Sequence, residues 1–123
     1  MKVPSLNKFT EMIHSQLELA EKKHPVFCDK FTNYNRYHAR IDERCCKELN
    51  KKGPFRADII LLEEVAEART AFIDKDFDHC LEELSQCGAV VLRMMEYVQT
   101  QKEKEVAMPC GGKKTGGKKP PKK

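Results

Sequence analysis

The feature that most constrains this chain is the run Ile59-Ile60-Leu61-Leu62-Glu63-Glu64-Val65-Ala66-Glu67-Ala68, where three acids are set into an otherwise apolar stretch. Projected at about 100° per residue, Leu61, Val65, Ala68 and Phe72 cover one side of a helix, and Ile59, Leu62, Ala66 and Ile73 another. The glutamates are left one arc, beside Ile60 and Ala71. Such a helix is buried, and carboxylates enter a protein interior only when paired, neutralised or bound to a cation. Positions three and four residues from these acids hold no Lys or Arg, so this helix cannot neutralise them itself. The positive charge has to come from elsewhere, and a divalent cation is the first candidate.

The rest of the composition points to helices. Tryptophan is absent, aromatics make up only 7%, and Glu, Leu, Ala and Lys abound, so an all-α fold is expected. With 123 residues the chain has room for one small domain, taken as 1–106. The Lys/Gly/Pro-rich segment 107–123 is expected to be a disordered tail, because it has too little apolar surface to bury. The net charge of +4 is a property of that tail: residues 109–123 hold six lysines and no acid, which leaves −2 on residues 1–108. An acidic body argues against a dedicated nucleic-acid reader, whose basic residues cluster on a folded face. Weak electrostatic contact by the tail is the most that is expected.

Six cysteines are present without a C-x-x-C pair, and adjacent Cys45 and Cys46 are poorly placed to share one tetrahedral metal. The opening Met1-Lys2-Val3-Pro4-Ser5 shows no apolar signal segment, so a cytoplasmic, reducing setting with free thiols is expected. No apolar run approaches the about 20 residues of a membrane span.

Four helices are expected. The first starts with Ser5 as its cap and carries Leu6, Phe9, Met12, Ile13, Leu17, Leu19 and Ala20 up to Lys22-Lys23, where His24-Pro25 stops it. The second carries a stripe of Tyr34, Tyr37, Ile41, Cys45 and Leu49 and ends at Gly53-Pro54. The third spans about 55–73. Asp76 then caps a fourth that runs to about Lys104, with Cys80, Leu84, Cys87, Val91, Met94 and Val98 as its stripe. Gly88 and Ala89 offer a place for another backbone to approach. The short break at Asp74-Lys75-Asp76 makes the last two helices antiparallel and brings Glu83 opposite the carboxylate arc.

Glu63-Glu64-x-x-Glu67, then fifteen residues, then Glu83-x-x-Gln86 resembles the signature of the MazG-like all-α nucleoside triphosphate pyrophosphohydrolases, E-E-x-x-E followed by E-x-x-D on two antiparallel helices. Ile60-Leu61-Leu62 before the first motif and Leu84 to Arg93 after the second resemble the small divergent branch often found in phage genomes. The resemblance implies a compact four-helix arrangement and hydrolysis of an NTP or dNTP to the monophosphate and pyrophosphate. It further implies Mg²⁺, with Mn²⁺ as a substitute, held by Glu63, Glu64, Glu67 and Glu83, with Glu64 as a ligand or as the base that deprotonates water. Carboxylate oxygens suit that hard octahedral cation, which activates water for in-line attack on phosphorus.

Gln86 stands where the family has Asp, and an amide oxygen ligates Mg²⁺ without bringing charge. Either an enzyme uses Gln86 as a neutral ligand or recruits Asp76, Asp78 or Glu82, or the chain is a degenerate relative that binds nucleotide or a protein partner without cleavage. Lys22, Lys23, His24, Arg36, Lys51 and Lys52 are candidates for holding phosphates or for a solvated surface, His79 for hydrogen-bonding Glu83, and Phe31, Tyr34 and Phe55 for stacking on a base or for core packing. Gln16, Asn33 and Tyr37 are polar candidates for reading the base. The apolar third helix and the heptad-like fourth expose more than four helices can bury, so a homodimer or homotetramer is expected.

Overall fold

A computed structural model of the chain describes residues 1–107, and all but the first residue of the expected tail lies outside them. The described residues form four helices and no strand: α1 (Val3–Lys23), α2 (Arg36–Lys52), α3 (Ala57–Ile73) and α4 (Phe77–Ala107). The fold is all-α. Helix α3 is central, with α4 antiparallel against one side and α2 against the other, while α1 rests lightly on α4. None of the described helices is long and apolar enough to cross a membrane.

The helix ends follow local chemistry, with one correction. Helix α1 begins at Val3 rather than behind Ser5; Lys2 precedes it and Pro4 sits in the first turn, where a missing N–H costs nothing. At the start of α2 the Asn35 side chain accepts the His38 backbone N–H at 2.8 Å. Helix α3 ends on a left-handed residue, Lys75 (φ 64°), with Lys75 N–H donating to the Phe72 carbonyl at 3.0 Å and Asp76 N–H to that of Ala71 at 2.9 Å. Asp76 then starts α4, its side chain accepting the His79 N–H at 3.2 Å. The connection is tight, and it sets the register of α4 on α3.

The core consists of small side chains: Ala39, Cys46, Ala66, Ala68, Ala71 and Cys80 are buried, with Phe9 the one large residue among them. This differs from the expected stripes in two helices. On α2, Tyr37, Cys45 and Leu49 are exposed, and the packed face is the one with Ala39 and Cys46. The apolar-stripe reading followed the largest side chains, whereas close packing on α3 selects the smallest. On α4, Cys80 is buried but Leu84 and Val98 are exposed, and Glu83 takes the inward position. Gly88 meets open space rather than another backbone.

The 24–35 connection is tied down by aromatic contacts. Phe31 stacks on Phe72 with ring centroids 4.5 Å apart, and Phe72 meets Phe77 edge-on at 5.6 Å. The Arg69 guanidinium lies 4.0 Å from the Tyr34 ring centroid and pairs with Asp42 at 2.7 Å. Phe31 and Tyr34 thus serve packing, while Phe55 is exposed. The left-handed conformation of Lys75 disfavours a side chain with a Cβ, a cost partly recovered through the unfolded chain. Lys75→Gly is therefore expected to raise stability by about 0.5–1 kcal/mol, read as a higher urea midpoint with unchanged m-value.

Candidate metal centre

Helices α3 and α4 bring Glu64, Glu67 and Glu83 together, with one carboxylate oxygen from each lying within 4.8 Å of the others. The fixed turn and the small residues Ala68, Ala71 and Cys80 at the seam let acids from the two helices reach one another. Glu83 is only 7% exposed. Its Oε2 lies 2.9 Å from His79 Nε2, one turn earlier, while its Oε1 is buried with no hydrogen-bond partner among the described residues. Glu64 Oε1 is in the same position. Oxygens left without a protein partner in such an enclosure are open to a proton, a water or a cation.

Electrostatics follow from that enclosure. Burial raises the Glu64 carboxyl to about 7; a hydrogen bond shared with Glu83 and the charges of Glu67, Glu83 and Glu63 push the same way. Two facing carboxylates have no donor between them until one takes a proton, which is why a proton on Glu64 is favoured beside Glu83. The hydrogen bond to Glu83 lifts His79 above its usual range despite some desolvation, which favours an imidazolium donating to the carboxylate.

The structure corrects the expectation of acids without a protein counter-ion. Lys47 of α2 reaches over α3, pairing directly with Glu67, with Glu43 at 3.3 Å and with Glu63 at 3.7 Å. Burial works against its charge, but the hydrogen bonds to Glu67 and Glu43 outweigh it and hold the ammonium above its usual range. Asn50, one turn on, donates to Glu63 at 2.6 Å and to the Ile59 carbonyl at 3.3 Å. Lys47 and Asn50 fall outside the expected α2 stripe, which runs through Tyr37 and Cys45. The pattern Ala39, Cys46 and Asn50, small or polar residues at helical spacing, was the signal available.

The expected site residues separate into two groups. Glu64, Glu67 and Glu83 converge, whereas Glu63 is engaged by Asn50 and Lys47 beside them. Gln86 is exposed and makes no hydrogen bond among the described residues. Of the acids named as substitutes, Asp76 lines a cavity of about 170 Å³ with Glu67, Thr70 and His79, while Asp78 and Glu82 are simply exposed. Lys22 and Lys23 sit exposed in the last turn of α1 and form no ion pair with the cluster. Gln16, Asn33 and Tyr37 are exposed as well. Cys28, Cys45, Cys46, Cys80 and Cys87 are free thiols, and burial pushes Cys46, Cys80 and Cys87 above the usual thiol range.

The donor set fits a hard divalent cation. Three carboxylates supply oxygen ligands and charge, two of them have an unpartnered oxygen, and the one lysine that reaches them is shared by Glu43, Glu63 and Glu67. Without a cation, the folded chain takes up a proton at Glu64 between the ordinary glutamate range and about 7. Stability is then fully present at low pH and falls as pH rises through about 7, by roughly 1–3 kcal/mol from this group; His79 acts in the same direction. Glu64→Gln is expected to flatten that fall and to raise the urea midpoint at pH 8 in EDTA, with little change near pH 4. Equal midpoints at pH 8 would show that Glu64 carries no such burden.

No family model, no curated protein and no solved structure matches this chain.

Proposed function

We propose that the chain is a Mg²⁺-dependent nucleotide pyrophosphohydrolase of the MazG-like kind, which cleaves an NTP or dNTP between its α- and β-phosphates. The observation that carries this reading is Glu83: almost wholly enclosed, with one oxygen unpartnered, and facing Glu64 and Glu67 across two helices. An acid in that position destabilises the fold unless it is paired, protonated or bound to a cation. Glu64, Glu67 and Glu83 would hold the cation, and Mn²⁺ could replace Mg²⁺ there. When bound, the ion would supply charge neutralisation on the phosphate chain and polarise the bond to be cleaved.

The chain's own groups account for the rest. Glu64, where it is not itself a ligand, is placed to take the proton of the attacking water; its rise to about 7 belongs to the cation-free site and would be reversed by a cation beside it. Lys47 holds Glu67 and Glu63 in place and shields part of their repulsion. His79 fixes the rotamer of Glu83. Gln86, in its exposed place, would complete the ligand set only by turning inward, and Asp76 is the nearer substitute through the cavity that it shares with Glu67.

That place of Gln86 also favours the second reading, a catalytically degenerate module that binds nucleotide without turnover. A pyrophosphate-release screen over NTPs, dNTPs and modified nucleotides, with Mg²⁺ or Mn²⁺, separates the two. The expected result is turnover of at least one nucleotide, lost by 10³-fold or more in Glu67→Ala, on the order of what removing an essential charge-stabilising group costs. Thermal stabilisation by nucleotide and metal with no pyrophosphate from any substrate identifies the degenerate module. A gain of activity in Gln86→Asp assigns the missing corner to that residue.

The same reading includes self-association. On α1, Met12, Ile13, Leu17 and Leu19 are all exposed, and its second half has no buried residue at all. A half-helix with an uncovered apolar face is suited to pack against a second copy, as a homodimer or homotetramer. Sedimentation is expected to give a multiple of the 14.2 kDa chain mass, and Leu17→Glu is expected to shift it toward the monomer.

A further inference from the structure

Beside the carboxylates, α2 carries a ladder of arginines one turn apart, Arg36, Arg40 and Arg44. With Tyr37 and Ile41 they line an open groove of about 460 Å³. A second depression of about 390 Å³ continues from it, sharing Arg40 and Arg44 and adding Lys47, Glu43, Thr70 and Asp74. Glu43, Thr70 and Asp74 in turn belong to the inner cavity that reaches Glu67. Shared walls make these three spaces one path, running from the arginines over Lys47 to the acids.

The charge reverses along that path. At its inner end the wall holds Glu43, Glu67, Asp74 and Asp76, and at its outer end three guanidiniums. Asp74 accepts from Arg36 Nε at 2.9 Å and from Arg40 at 3.3 Å, so one carboxylate aligns two arginines and leaves them with net positive charge. Those contacts hold the Asp74 carboxyl below the usual range, Arg36 contributing most. Arg44 has no ion pair or hydrogen bond among the described residues. The Thr70 hydroxyl oxygen, at the point where the two ends meet, is buried and also without a partner.

We infer that this groove is the subsite for the distal phosphates of a polyphosphate ligand, with Arg44 and Arg40 as its principal contacts and Thr70 as a donor at its inner edge. A cation–polyphosphate complex carries its positive charge at one end and excess negative charge at the other, and the path has the complementary order. Guanidinium groups suit phosphate oxygens because their forked donors can bind two at once. From Lys47 to Arg40 the helix rises about 10 Å, enough to extend past the acids along a phosphate chain. The ligand class is a nucleoside triphosphate or the pyrophosphate released from it. The inference rests on the pyrophosphohydrolase reading for its orientation, with the scissile end at the acids, but the anion subsite itself does not need that reading.

Calorimetric titration of the full chain with pyrophosphate in EDTA, against sulfate at matched ionic strength, tests the subsite without metal or turnover. Pyrophosphate is expected to bind more tightly than sulfate. Arg44→Ala should weaken it at least tenfold, Arg40→Ala with Arg44→Ala should remove it, and Thr70→Val should weaken it measurably. Arg44→Lys should restore only part of the affinity, and exposed Lys51→Ala with Lys52→Ala should leave it within twofold. The far-ultraviolet spectrum of each variant checks folding, and Arg44 carries no internal contact whose loss would unfold the chain.

The inference falls if pyrophosphate does not bind, if it binds no better than sulfate, if the arginine variants bind as the parent does, or if the Lys51/Lys52 variant loses as much as they do. It also falls if a single-stranded oligonucleotide binds through these arginines far more tightly than pyrophosphate, because the face would then be a nucleic-acid contact. Arginine-dependent binding of pyrophosphate, with no nucleotide hydrolysed, sinks the enzyme reading and keeps the subsite. Hydrolysis whose KM is unchanged by Arg44→Ala sinks the subsite and keeps the enzyme.

Discussion

Everything in this fold is arranged around the mutual repulsion of carboxylates across the α3–α4 seam. Glu83 is nearly enclosed, Glu64 is pushed up to about 7, and Glu67 is held by a lysine from a third helix. Hydrophobic burial elsewhere has to offset the cost of keeping these groups close and dry. The core that does so is modest, being mostly alanine and cysteine.

Lys47 changes the meaning of the site. It is a single cation shared by three carboxylates, Glu43, Glu63 and Glu67, and it stands where the acidic cavity gives way to the arginine groove. Without it these acids would repel one another more strongly; with it, part of their charge is offset on the side where Arg40 and Arg44 line the neighbouring depression. The division of charge between two sides of one small site is set by α2, which carries none of the acidic motif itself.

Much of this was legible in the sequence, for physical reasons that differ by element. The third helix announced itself because its apolar residues cover most of its circumference, and the pairing of Glu83 with the first cluster followed from a connection too short to allow anything but an antiparallel return. The hydrogen bond from His79 to Glu83 followed from spacing of one turn. By contrast, residue size is a poor guide to the packed face of α2. Tyr37 and Leu49 point outward, while Ala39 and Cys46 permit close approach to α3. Lys47 is not legible in this way, since periodicity in one helix says nothing about which residue of a neighbour will reach across. Gln86 could be seen as a departure from the acidic pattern, but its exposed placement could only be read in three dimensions.

The alanines and thiols at the seam have a further consequence. Small side chains let two helices lie near the lower end of the usual 8–10 Å axial separation, and glutamate is only three carbons long beyond its backbone. The core therefore acts as a calliper: it sets the gap that the carboxylates must span, and so how closely their oxygens approach one another. In a chain built this way, enlarging a residue such as Ala68 or Ala71 would retune the site from beneath without touching any of the groups that line it.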